Sequence, residues 1–253
     1  MAGLIYPSIG VFGASGSGKS TLAKGLIAAM LAMSEHLVIV NETRELSEFA
    51  ARHEIVSQER ALGAWDVAKL EAFIRYHKRV HFEVGTVSPV PFMDALAQAV
   101  YNLGEYEAPN VKCLFVVDEC HNYLNKTVYN KSDKVQKLDQ QGRKFGIVGM
   151  KITPRIASTA QESISLTALT QCRQVFLFSM LAGVDIEAAK REGFPDPSKL
   201  LYPDIERNLP SEYYATDKTR GTTWHIKRTD DGRRYAEQIA GIPANLDSFL
   251  AAA

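Results

Sequence analysis

Three cysteines in 253 residues are few, and the number is odd. Cys113, Cys120 and Cys172 cannot build a disulfide framework, and they point to a reducing compartment. Cys120 and His121 are adjacent rather than at metal-ligand spacing, and no second cluster completes a site, so Cys120 reads as a buried thiol. Net charge is missing as well, because 29 basic residues balance 29 acidic ones. That excludes a molecule-wide basic field; any contact with nucleic acid must come from a local patch or from repetition around a ring. No apolar run reaches the roughly 20 residues that cross a bilayer. No repeat or low-complexity stretch interrupts the chain, and the first strand starts with no leader before it, so no membrane anchor is expected.

What is present begins at residue 9. Ile9 to Phe12 reads as a buried strand, and Gly13-Ala14-Ser15-Gly16-Ser17-Gly18-Lys19-Ser20-Thr21 reads as a glycine-rich turn entering a helix. Gly13, Gly18, Lys19 and Ser20 fit G-x-x-x-x-G-K-[ST], the P-loop. A triphosphate needs several backbone N–H groups pointing inward, and glycines clear their approach. The helix that follows presents its positive end to the anion. Lys19 can bridge the β- and γ-phosphates, and the Ser20 hydroxyl can ligate Mg²⁺. Leu22, Leu26, Met30 and Met33 fall at helical spacing, which supports the strand–turn–helix context the motif requires.

Apolar residues make up 46% of the chain, enough for the core of one large α/β domain. Strands are expected at 36–40 and 80–87, and helices at 65–79 and from Pro91 onward. The basic end of the first helix, Arg75 to Arg79, either complements the helix terminus or touches a phosphate backbone. The run 111–117 is apolar and ends in Asp118-Glu119. At the end of a strand, Asp118 can hold the Mg²⁺ shell, which is the Walker-B role. Glu119, one residue further out, can polarise an attacking water. A polar helix is expected at 132–145, a strand at 147–153 ended by Pro154, and a short helical piece at 164–169. A strand at 173–178 and a helix at 184–191 follow. From residue 193 the composition turns proline-rich, and 212–216 with 222–228 read as a hairpin with a charged tip.

Phe115-Val116-Val117-Asp118-Glu119-Cys120-His121 resembles the Walker-B block of the FtsK/HerA superfamily, ring-forming ATPases that move along double-stranded DNA. Gln141-Gly142-Arg143-Lys144-Phe145-Gly146 is similar to that family's turn ahead of its sensor strand, and 169–175 resembles the block before its last core strand. The resemblance runs from the P-loop to about Leu181. It implies a RecA-like (ASCE) P-loop NTPase core over 1–192, with a mostly parallel central sheet flanked by helices, and a C-terminal hairpin and arm over 193–253. It implies that the sensor strand lies between the P-loop and Walker-B strands. It also implies a homo-oligomeric ring, a hexamer, with ATP at each subunit interface.

Arg143 matches the position from which the family inserts an arginine finger into the neighbour's site, with Arg155 and Arg173 as competitors. The helix-terminus alternative for Arg143 also stands. The family ends its sensor strand Ala-Thr-Gln; here Ile152-Thr153-Pro154 stands instead. Thr153 could still meet the γ-phosphate or the water, and Gln161 could replace the missing glutamine. The family's usual extra domains are not evident, so the resemblance narrows to the genome-packaging ATPases of viruses with an internal membrane.

The expected function is ATP-driven translocation of double-stranded DNA into a preformed capsid, with ATP and Mg²⁺ as cofactors and a capsid vertex or viral membrane protein as a further partner. The expected location is the virion or the host cytoplasm. A cellular HerA-like or conjugative translocase, cytoplasmic, and an ATP-dependent assembly switch with little hydrolysis are the alternatives. Lys126, Lys131 and Lys134, in the stretch after the Walker-B block, are candidate DNA contacts of a pore loop or else part of a solvated loop and helix start. Lys218 and Arg220 at the hairpin tip are further candidates.

Overall fold

The computed structural model describes residues 8–56, 65–85, 90–156, 164 and 166–240. Gln161 and the last residues of the expected arm, 241–253, lie outside that set. In chain order come β1 (Ile9–Phe12), α1 (Lys19–Leu31), β2 (Ser34–Asn41), β3 (Arg52–Val56), α2 (Val67–His77) and β4 (Arg79–Val84). Next are α3 (Val90–Asn102), β5 (Val111–Val117), α4 (Cys120–Tyr123), α5 (Lys126–Lys131), α6 (Asp133–Gln141) and β6 (Ile147–Thr153). The described chain closes with α7 (Leu166–Thr170), β7 (Gln174–Leu177), α8 (Gly183–Arg191), β8 (Tyr213–Asp217), β9 (Thr222–Arg228) and β10 (Arg234–Ala240).

All ten strands join one sheet in the order β10-β9-β8-β7-β1-β6-β5-β2-β4-β3. From β7 to β3 every pairing is parallel; β8, β9 and β10 add antiparallel strands beyond β7. The central strands are buried along nearly their whole length because helices cover both faces, as a parallel sheet requires. On one face α1 contributes Ala23, Ile27 and Met30 to a core with Ile9, Val11, Ile39 and Trp224. On the other, α2, α3 and α6 pack over Phe12, Val40, Phe82 and Phe115.

The expected RecA-like core is therefore observed, with β6, the strand expected to be the sensor, between β1 and β5. The expected hairpin is β8 and β9, and β8 pairs with β7, so the residues after 193 extend the same sheet. Local signals explain the helix boundaries. Asp66 caps α2 by accepting from Lys69 N at 2.8 Å, and the Ser132 hydroxyl caps α6 by accepting from Val135 N at 3.1 Å. The polar helix expected at 132–145 is α6 followed by a tighter 3₁₀ turn, Gly142–Phe145. The stretch considered as a pore loop contains α5, capped by Asn125, which accepts from Val128 N at 3.0 Å. Among the described residues no helix is long and apolar enough to cross a membrane.

Candidate functional site

Register decides which residues meet. Phe12 is level with Thr153 of β6 and Leu177 of β7, and Val117 is level with Val40 and Lys151. The strand ends thus bring the 13–21 turn, Asp118, Thr153 and Phe178 to the carboxyl edge of the sheet, where open α/β sheets bind ligands.

The turn has the backbone its sequence demands. Gly13, Gly16 and Gly18 have φ of 148°, 74° and 97°. At Gly13 a Cβ would stand 2.5 Å from Phe178 Cβ, so that position needs glycine for space as well as for torsion; at Gly18 one would meet the Ser211 hydroxyl, and the torsion is the firmer demand. Phe178 is thus the floor of the loop, and its ring lies 4.9 Å from that of Tyr213 on β8. Gly13 N donates to Thr153 O at 3.2 Å and Ala14 N to Ser179 O at 2.8 Å, tying the loop to both neighbouring strands. Gly18 leads directly into α1, whose first N–H groups point into the turn.

Lys19 is buried, and its ammonium donates to Ala14 O at 3.0 Å. Burial pushes its pKa down, while the charges of Glu119, Asp118 and Glu45 pull it back up. Asp118 is held from three sides. Its backbone N–H donates to Val40 O at 2.9 Å, its Oδ1 accepts from Glu119 N at 2.9 Å, and the Asn41 amide hydrogen-bonds its carboxylate. Asn41 Oδ1 in turn accepts from Thr43 N at 3.0 Å and lies 2.7 Å from His81 Nε2. Burial raises the Asp118 pKa. Burial outweighs the attraction between Lys19 and these acids, and a divalent cation with a polyphosphate would add charge of both signs. Ser20 and Asp118 offer hard oxygen ligands of the kind Mg²⁺ prefers. Bound there, Mg²⁺ would neutralise phosphate charge.

Glu119 has φ 48° and ψ 42°, a left-handed conformation that is costly for a residue with a Cβ. Strain of this kind gathers where a side chain must be aimed. Its Oε2 is buried without a hydrogen bond, 3.4 Å from His121 Nδ1. Burial, and next the neighbouring Asp118, raise its pKa, as suits a base that must accept a proton. Thr153 is fully buried, with Oγ1 3.0 Å from His121 Nδ1 and a hydrogen bond accepted from Arg155 N at 3.2 Å. His121, Asn41 and His81 are the members of this cluster that sequence reasoning missed. The position of Asn41 at the end of the strand beside the 111–117 run was the available signal.

The remaining candidates lie elsewhere. Arg143 sits in the 3₁₀ turn that precedes β6, at the amino edge of the sheet. β6 is seven residues long, about 20 Å, so Arg143 stands that far from its own P-loop. Arg173 lies at the same edge, before β7, with its Nε buried and unpartnered; Arg155 lies at the P-loop edge, after β6. Lys126, Lys131 and Lys134 are exposed, and none forms an ion pair among the described residues. By contrast Lys218 pairs with Glu192 at 2.9 Å and Arg220 with Asp217 at 3.7 Å.

No protein-family model matches the chain, and no curated protein matches it in sequence. Solved structures do match in fold. The genome packaging NTPase B204 from Sulfolobus turreted icosahedral virus 2, in complex with AMPPCP, superposes with a TM-score of 0.63 at 14% identity, over 88% of this chain and 98% of that one. B204, the DNA-packaging ATPase from Sulfolobus turreted icosahedral virus, superposes with a TM-score of 0.60 at 12% identity, over 94% of this chain and 98% of its own. The likeness is one of fold.

Proposed function

We propose that this chain is the ATP-hydrolysing subunit of a homo-oligomeric ring, a hexamer, that drives double-stranded DNA, a viral genome, into a preformed capsid. The observation that carries the reading is the division of the site between two edges of one sheet. The phosphate cradle, Lys19, Asp118 and Glu119 share the carboxyl edge, while Arg143 stands at the amino edge. A site so divided is completed by head-to-tail contact between subunits, the arrangement that closes into rings. The fold shared with virus-packaging NTPases supports the same reading.

In this scheme the backbone N–H groups of residues 13–21 and Lys19 bind the phosphates, and Ser20 and Asp118 hold Mg²⁺. Glu119 takes a proton from water as its oxygen bonds to the γ-phosphorus and the bond to the ADP oxygen breaks. Arg143 of the next subunit neutralises charge on the phosphoryl group in flight. The lysines of α5 and α6 serve the DNA. Lys126 opens α5 and Lys134 sits in the first turn of α6, where the helix dipole disfavours a cation. They therefore do little for the fold, and they suit a phosphate backbone read without regard to base. A capsid vertex or a viral membrane protein would anchor the ring, in the virion or the host cytoplasm.

The test is ATP turnover with and without linear duplex DNA, on material of known oligomeric state. Turnover that requires the oligomer and rises with DNA is expected; steady turnover by monomers indifferent to DNA would overturn the reading. One observation favours a second reading, an ATP-dependent assembly switch. Thr153 is closed off by His121 and Arg155, and Pro154 stands where a glutamine would face the γ-phosphate. Glu119→Gln separates the two, since a motor stops with ATP trapped and a switch assembles as before.

A further inference from the structure

Among the described residues Lys151 is the one lysine buried in the middle of the sheet, two residues before Thr153. It is level with Gly10 of β1 and Val117 of β5, the strands that lead into the P-loop and Asp118. Its ammonium pairs with Asp139 on α6 and donates to Ala168 O on α7 at 2.8 Å. The other Asp139 oxygen accepts from the Tyr129 hydroxyl of α5 at 3.1 Å. Burial is the strongest influence and works to strip the Lys151 proton; the groups around it, Asp139 first, together hold the pKa above the ordinary lysine value.

Such a pair is not explained by stability. Well-packed aliphatic side chains of similar volume often serve a core as well as a buried ion pair or better. What the pair adds is geometry, because its hydrogen bonds are satisfied in one arrangement while aliphatic surfaces slide. Asp139 lies one helical turn before Arg143, and α6 runs directly into the turn that carries that arginine. Gly142, between them, sits against Leu138 and Ile147, which a Cβ would meet at 3.3 and 3.4 Å. The helix is thus fastened to β6 twice, by apolar contact at the strand's start and by charge near its end.

We propose that Lys151 and Asp139 are positioning residues for Arg143, a strut through which the strand beside a subunit's own phosphate cradle sets the arginine that the subunit lends to its neighbour. The proposal rests on the reading of Arg143 as a donor in trans. Movement of β6 when the γ-phosphate departs then moves α6, and hydrolysis in one subunit is felt at the next.

The double variant Lys151→Met with Asp139→Leu tests it, since it removes both charges and keeps the volume. Expected are an unchanged melting midpoint and nucleotide affinity, with oligomer-dependent turnover down about a hundredfold, the cost of misplacing a catalytic group by an ångström. The variant is then assembled with Glu119→Gln subunits, whose own site is dead but whose strut and Arg143 are intact. Turnover in the mixed oligomers should recover about tenfold or more, because sound arginines now reach sound cradles. Full turnover by the double variant alone, or no recovery on mixing, would overturn the proposal. If the double variant does not fold, Tyr129→Phe, which keeps the ion pair and frees one Asp139 oxygen, should show the same recovery from a loss of about a few-fold. Arg143→Ala is the control. Normal turnover there removes the donor reading itself, whereas loss there together with a fully active strut variant removes only the strut.

Discussion

The two edges of the sheet are built differently, and the difference is instructive. At the carboxyl edge the backbone does most of the work: three glycines at positive φ, an acid in a left-handed conformation and carbonyls tied across strands. At the amino edge a short basic turn, closed by Gly146 at φ 74°, carries Arg143 and Lys144 as side chains. One edge is a cradle shaped for an anion, the other carries a half-buried cation. On the proposed function a single subunit has both halves of the site and cannot bring them together, because the sheet that makes the cradle also holds Arg143 at its other edge.

Breaking the carboxyl edge should have the largest effect. Glu119→Gln is expected to lower turnover about a thousandfold while ATP stays bound, measured by single-turnover kinetics beside equilibrium nucleotide binding. At the amino edge, Arg143→Ala should cost a comparable factor, on the order of a thousandfold, with monomeric nucleotide affinity unchanged. Mixing it with Glu119→Gln subunits should restore activity; failure to do so would mean that the two edges never meet.

The helical flank between the edges is sharpened by salt. Replacing Lys126, Lys131 and Lys134 with alanine should flatten the dependence of log DNA affinity on log salt by about one for each lysine that meets a phosphate. Lys218→Ala and Arg220→Ala should leave that slope alone, since both side chains are engaged with acids.

The smallest effect concerns the support behind Asp118. His81 is fully buried, and burial, with His53 next, lowers its pKa to about 4. Arg44 also opposes its charge and Glu83 favours it. The unfolded chain, with its ordinary histidine value, binds the proton first as pH falls. Stability should therefore decline from about pH 6.5 toward pH 4, with His81 contributing about 3 kcal/mol of the loss. Denaturant unfolding across that range, compared with His81→Gln, isolates the contribution; a parallel decline in the variant would assign it to other groups.

Much of the carboxyl edge was legible in the sequence, because its demands are local. Glycine spacing, an apolar strand and two acids each report on their own few residues. The strand at 147–153 was readable from an apolar run interrupted only by Lys151, and Pro154 marked its end. What escaped depended on distant partners or on edges. β3, Arg-His-Glu-Ile-Val, is polar because it is the last strand of the sheet, and β10 is exposed along most of its length for the same reason. Lys151 reads as a strand residue until Asp139 is placed beneath it, and His81 until Asn41 is. α5 was hidden because a six-residue helix has too few turns to show a period.

The stacked rings under the glycine turn have a last consequence. Phe178 supports the turn, Tyr213 lies against Phe178, and the Arg234 guanidinium covers Tyr213 at 5.5 Å. The outermost strand of the molecule therefore touches the nucleotide's seat through two aromatic side chains. A chain trimmed to its parallel strands would keep its phosphate motif and Phe178, and lose the ring and the guanidinium that brace Phe178. Whatever grips the outer strands holds a lever on the engine without coming near its fuel.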